Sequence, residues 1–236
     1  MDSFRRIALL MALAACAATG LQAQSSSSVV PTQPNATAPA LSVQARIRAR
    51  REQRRAAAIH DAYSHRYETF MGMDYMRMVP GPKQQRVTMY GWDMGVTRNY
   101  NERLGVTVDG RGYFGTAFVG LNSYALTRPA ISTYTVQAGP TYRFYAQPKY
   151  SFSGRVMAGY AYGNFSADTN GYGTQKLGLY PDGSSYVLSA SVGAEYNLTP
   201  DVSFKLSPEY VVTGFGSTTQ ANRGFSTSIS YRFGKQ

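Results

Sequence analysis

His60 and His65 are the only imidazoles in the 236-residue chain, so they fix where acid–base or nucleophilic chemistry could be sought. Acyl transfer or hydrolysis needs a histidine beside a serine or an acid at one location. Both histidines precede the first segment with strand character, and no nucleophile–base pair is visible there. Asp168-Thr169-Asn170-Gly171 and Asp182-Gly183 have the alternating oxygen ligands and tight glycine of a calcium loop. The bidentate acid at the required spacing is missing, and turn chemistry explains these residues better. Gly171-Tyr172-Gly173 lacks the strand-to-helix context of a phosphate loop. The sequence therefore points to no catalytic residue, no metal and no cofactor.

A second set of polar residues is spaced differently. Glu68, Asp74, Asp93, Asp109, Glu195 and Glu209 fall on the same alternating row as Arg111, Arg143, Arg155, Lys205 and Arg232. The two signs nearly balance. Charges brought together out of water must pair and hydrogen-bond, or cost several kcal/mol each. What those charges do depends on the elements that carry them.

From Tyr67 onward the sequence has period two, the repeat of a strand with two different faces. Tyr90, Trp92, Met94 and Val96 alternate with Gly91, Asp93, Gly95 and Thr97. Leu104, Val106, Val108 and Phe114 alternate with Gly105, Thr107, Asp109, Arg111 and Tyr113. The same holds for Tyr134, Val136, Ala138, Tyr142 and Phe144 against Thr135, Gln137, Gly139, Thr141 and Arg143. The alternation is cleanest from Tyr186 to Leu198, and it closes the chain as Phe225, Thr227, Ile229, Tyr231 and Phe233. About eight strands result. Asn101-Glu102-Arg103, 146–149 and Thr199-Pro200-Asp201 are tight turns, whereas 79–85, 116–130, 165–184 and 214–222 are longer connections. Short and long connections alternate, as in barrels with periplasmic turns and extracellular loops.

A soluble lipocalin-like barrel or sandwich would bury the apolar row and turn the polar one to water. Here the polar row is largely Gly, Ser and Thr, which suits a narrow, crowded interior. The apolar row carries aromatics near strand ends, such as Tyr186 and Tyr196, at the positions of membrane-interface girdles. The expected fold is all-β: an eight-stranded antiparallel transmembrane β-barrel, preceded by a basic helical segment. An interior this narrow is filled by its own side chains, so the charged row is expected to plug it as a salt-bridge network. The alternative is a small ion-conducting pore lined by the same residues. The longer connections carry Tyr124, Phe165, Tyr172, Leu177, Leu179, Tyr180 and Phe215, expected as exposed anchors for an extracellular partner.

The chain ahead of the barrel divides into three. Residues 1–23 have the pattern of a secretory signal: Arg5 and Arg6, an apolar run from Ile7 to Thr19, and Leu21-Gln22-Ala23 before Gln24. Leu13-Ala14-Ala15-Cys16 also fits a lipobox, in which Cys16 would be lipidated. Residues 24–42, rich in Ser, Thr, Pro, Ala and Gln, form an expected disordered linker. Residues 43–65 are an expected helix carrying Arg46, Arg48, Arg50, Arg51, Arg54 and Arg55, followed by the barrel at 66–236. Its apolar face (Val43, Ile47, Ala58, Ala62) is thin, so it is a weak helix on its own. Six of the chain's 24 basic residues cluster in this segment, against two acids, Glu52 and Asp61. Export argues against nucleic acid, leaving anionic headgroups or the acidic cell wall as its partner. Both termini would lie in the periplasm.

Three segments carry a family resemblance. Gly91-Trp92-Asp93 through Arg98-Asn99-Tyr100-Asn101, Ala138-Gly139-Pro140-Thr141-Tyr142-Arg143 and Tyr231-Arg232-Phe233 resemble the small outer-membrane β-barrel proteins of the OmpA/OmpX and opacity-protein type. The likeness runs from about Tyr67 to the end and is strongest to a branch often seen in acidobacterial genomes. It implies a monomeric outer-membrane protein, in contact with membrane lipid, that serves structure or surface interaction. Some such barrels modify lipid A, the least favoured role here because the histidines lie on the wrong side. Ile229, Tyr231 and Phe233 resemble the C-terminal signal read by the barrel-assembly machinery, although Gly234-Lys235-Gln236 follow where many members end.

Overall fold

The computed structural model describes residues 42–82, 84–120, 122–123 and 125–235. The signal, the lipobox cysteine, nearly all of the linker and Tyr124 lie outside the described residues. A helix, α1 (Val43–Tyr63), comes first. It forms because Ala, Arg, Gln and Glu dominate a stretch free of Gly and Pro. It has no apolar stripe, and only Ala62 and Tyr63 at its last turn are buried. The Ser64 amide donates to the His60 carbonyl at 2.8 Å, and the chain then enters the sheet.

Eight strands follow: β1 (His65–Met78), β2 (Val87–Asn99), β3 (Leu104–Thr116), β4 (Ala130–Ala146), β5 (Tyr150–Asn164), β6 (Gly183–Asn197), β7 (Val202–Thr213) and β8 (Gln220–Lys235). Each pairs antiparallel with the next, and β8 returns to β1 to close the barrel. His65 therefore belongs to β1 rather than preceding it. Its place in the sheet is set by the extension of β8 past Phe233, because His65 pairs with Lys235. The short connections are built by side chains: Asn101 Oδ1 accepts from the amides of Arg103 (2.9 Å) and Leu104 (2.6 Å). Thr199 Oγ1 likewise accepts from the Val202 amide at 3.0 Å.

The outward row is apolar and exposed over the whole circumference, including Met71, Trp92, Val108, Val136, Leu188, Val192 and Ile229. Rings gather toward both strand ends: Tyr67 stacks on Phe233 at the turn end, and Tyr75 stacks on Phe225 nearer the loop end. A continuous apolar band between two aromatic girdles is the exterior of a transmembrane barrel. Among the described residues no helix is long and apolar enough to cross a membrane. The inward row is small or polar, and its small members make room for its large ones. A Cβ at Gly95 would sit 2.5 Å from the Phe70 ring, so glycine there admits Phe70 to the interior.

Candidate functional site

The barrel interior is stacked in layers. At the turn end, Lys205 Nζ lies 2.8 Å from Glu68 Oε1 and 2.9 Å from Glu195 Oε1. Arg232 spans the same two acids, with Nε donating to Glu68 Oε2 at 3.2 Å and Nη2 to Glu195 Oε2 at 2.9 Å. Arg143 approaches both at 3.8 Å and donates to the Glu102 carbonyl at 2.7 Å. Two carboxylates thus sit among three cations, and Ser151 Oγ donates to Glu195 as well. Arg155 makes no ion pair among the described residues, and its guanidinium lies 5.4 Å from the centre of the Phe70 ring.

A second layer, nearer the loop end, centres on Arg111, which is 1 % exposed. It donates to Asp109 through Nη2 at 2.8 Å and through Nε at 3.2 Å, and through Nη1 to Glu209. Asp74 lies 3.6 Å away and accepts a 2.9 Å hydrogen bond from the Tyr113 hydroxyl. Asp93 stands opposite Arg111 in the register of β2 and β3 and is buried beside it. One carboxylate oxygen each of Asp74, Asp93 and Asp109 has no hydrogen-bond partner among the described residues. The near balance of charge read from the sequence is therefore spatially uneven: cations dominate the turn-end layer and carboxylates the other. Neutral polar groups line the wall beside the second layer, such as Ser189 Oγ donating to Gln137 Oε1 at 2.7 Å, where Gln137 stands opposite Asp109.

Both ends of the interior are covered, the turn end by a residue that the sequence pattern did not single out. At the turn end Tyr63, 1 % exposed, closes the barrel mouth. Its hydroxyl donates to the Gln147 carbonyl at 3.0 Å and accepts from Asn197 Nδ2 at 2.8 Å. Arg143 and Arg232 lie over its ring at 4.4 and 5.0 Å from the centroid. Outside the mouth, Arg55 donates to Gln147 Oε1, His60 Nδ1 lies 2.7 Å from Glu102, and His65 Nε2 lies 3.1 Å from Asp201. Both histidines thus face turn carboxylates. The six arginines of α1 are all exposed.

At the loop end the inward row turns apolar, with Met76, Met78, Val87, Met89 and Ile131. Onto it fold Phe165, Leu177, Leu179, Tyr180 and Phe215 from the longer connections. This corrects the expectation that these residues are exposed anchors: all five are buried, whereas Tyr172 stays 39 % exposed. The reason is apolar surface. The upper lumen offers a greasy mouth, and rings that fill it leave water on both sides of the contact. Asp182 ties this cap down by accepting from the Phe165 amide at 2.6 Å and from Ser166 Oγ. Gln84 Nε2 donates to the Leu177 carbonyl at 2.9 Å.

Of the residues resembling an assembly signal, Ile229, Tyr231 and Phe233 are all exposed on the outer wall of β8.

The sequence profile of a family described as "Protein of unknown function, DUF481" matches residues 130–235, which span β4 to β8. No curated protein matches the chain. Neisserial surface protein A superposes with a TM-score of 0.50 at 15% identity, covering 71% of this chain and 97% of that one. Ail, the attachment invasion locus protein of Yersinia pestis, gives 0.47 at 18%, covering 71% and 97%. The outer-membrane protein OprG of Pseudomonas aeruginosa gives 0.48 at 12%, covering 73% and 99%. With its closed eight-stranded topology and apolar outer wall, the chain has the fold of the small outer-membrane β-barrel proteins of the OmpA/OmpX type.

Proposed function

We propose that this chain is a non-enzymatic outer-membrane barrel with a structural or surface-interaction role, its lumen held shut by the two ion-paired layers. The observation that carries this reading is the span of those layers. Arg111 ties β3 to β7 through Glu209, while Lys205 and Arg232 tie β7 and β8 to β1 and β6 through Glu68 and Glu195. An eight-stranded barrel is just wide enough for its side chains to fill. Pairs crossing so narrow a lumen lie in the path of any ion, and breaking a buried pair costs about 3–5 kcal/mol.

The turn end faces the periplasm on this reading, as do both termini, and the longer connections face outward. Short turns lie on the periplasmic side of such barrels. The strand β8 would carry the signal for the assembly machinery through Ile229, Tyr231 and Phe233. The exposed arginines of α1 would contact anionic headgroups or the cell wall, each cation near a charged surface contributing about 1 kcal/mol. With Phe165 and Tyr180 turned inward, an extracellular partner would meet the polar backs of the loops and Tyr172 instead.

The test is ion flux through liposomes carrying the refolded barrel, with and without residues 43–63. No flux from the intact chain supports the closed lumen. Reproducible flux from the intact chain, altered by Arg111→Ala or Arg143→Ala, would make the protein a pore.

A further inference from the structure

Every Asp and Glu within the eight strands is buried in the lumen, so the outer wall carries no acid at all. It does carry arginines, and two of them are direct cross-strand partners. Arg77 of β1 is opposite Arg223 of β8, and both are exposed. Directly opposed side chains have Cβ atoms about 4.5–5.5 Å apart, and like charges so placed repel. Arg86 joins them: its Nη1 donates to the Ala221 carbonyl, two residues from Arg223, at 3.3 Å. The ion pairs among the described residues all lie in the lumen or at the turn end, so none reaches these three. By contrast the outward Arg98, near the turn end, lies over the Tyr100 ring. The loop-end corner of β1, β2 and β8 is thus a concentration of positive charge just above Tyr75, Tyr90 and Phe225.

An apolar groove of about 840 Å³ starts at this corner. Arg223 forms its end, Tyr210 and Tyr142 flank it, and Gly154, Ala190 and Pro208 are its small outward positions. The row follows the hydrogen-bonding direction from Arg223 to Tyr210, Ala190 and Val156. Strands of such barrels tilt by roughly 35–45°, so this row slants from the loop-end rim into the apolar band. A Cβ built on Gly154 meets nothing within 4 Å, which shows the groove to be open there.

We propose that Arg77, Arg223 and Arg86 bind the phosphomonoester head of a membrane lipid whose acyl chain lies in this groove. A phosphomonoester carries about −1.5 to −2 charges at neutral pH and can neutralise two opposed guanidinium groups. A diester such as phosphatidylglycerol carries only one. Arginine also presents its donors as a fork that suits phosphate oxygens. The proposal rests on the membrane-barrel reading above and adds to it a lipid of one head chemistry in the leaflet at the loop end.

The test is native mass spectrometry of the mature chain, refolded in neutral micelles and titrated with long-chain phosphatidic acid, diphosphorylated lipid A, phosphatidylglycerol or inorganic phosphate. The two phosphomonoester lipids are expected to bind ahead of phosphatidylglycerol. Arg77→Gln with Arg223→Gln should weaken them roughly thirtyfold, from about one cation's contribution each. Arg98→Gln should change nothing. Gly154→Leu should weaken long-chain phosphatidic acid while sparing its dihexanoyl analogue. Undiminished binding by the double arginine variant would overturn the proposal, as would equal competition by inorganic phosphate, which would mark a site for soluble anions. A refolded chain that lacks the heat-modifiable gel mobility of a closed barrel would instead defeat the membrane reading itself.

Discussion

Arg111 has the most to lose by substitution. It is fully enclosed, and three carboxylates, Asp74, Asp109 and Glu209, are within 4 Å of its guanidinium. Arg111→Met keeps much of the volume and strands those acids without their cation. The expected cost is about 3–5 kcal/mol, measured by urea unfolding in micelles with Trp92, the single tryptophan, as the reporter. Glu209→Gln alone should also destabilise. The double variant should lose less than the sum of the two, because each substitution removes part of what the other breaks. Additive losses would mean that the Arg111–Glu209 contact contributes little. The charged residues of this layer were legible in the sequence because strand alternation puts them all on one row. Their division into a cationic and an acidic layer was not, since it depends on the stagger of strands around a closed sheet. Tyr63 was invisible for another reason. It sits outside any periodic segment, and its role comes from the ring of Arg143, Arg232 and Asn197 that closure assembles around it.

At the level of elements, α1 and the longer connections act as two lids of different make. The helix has almost no apolar face and is held by its last turn, by Arg55 on Gln147 and by His60 on Glu102. Its removal should leave the barrel folded, with urea stability changed by less than a core substitution causes. Binding of the mature protein to vesicles rich in anionic lipid should weaken on that removal, and more so at low salt than at high. An unchanged salt dependence would show that the arginines are only solvated. The loop-end lid is apolar. Phe165, Tyr180 and Phe215 pack edge to face, with centroids 6.1 and 5.4 Å from Phe165. Phe165→Ala with Phe215→Ala should therefore release the long connection between β5 and β6 to added protease while the strands stay protected. Cleavage at the same rate in the parent would show that these rings hold nothing down. The existence and length of both lids could be read from composition and from the alternation of short and long connections. Which way the loop rings turn could not, because an apolar residue in a loop has no period to say whether it faces the bilayer, the solvent or the mouth of the barrel.

For the molecule as a whole, the proposed closures act in series. On that reading an ion crossing the barrel would have to pass Tyr63, the Glu68–Glu195 layer, the Arg111 layer and the ring-packed cap in turn. Opening one lid leaves the others in place, so neither loss of residues 43–63 nor the double phenylalanine variant should conduct by itself. Combining them exposes both charged layers to water, where ion pairs lose much of their strength to screening. Conductance in planar bilayers should then appear in the combined variant, and it should rise further when Arg111→Ala removes the central tie between β3 and β7. The acidic layer holds four carboxylates around that arginine, so current through the opened barrel should favour cations, read as a reversal potential under a salt gradient. Anion preference would place the controlling charge at Lys205 and Arg232 instead. Conduction through the helix-deleted form alone would mean that Tyr63 is the gate, and that the ion-paired layers leave a water path past them.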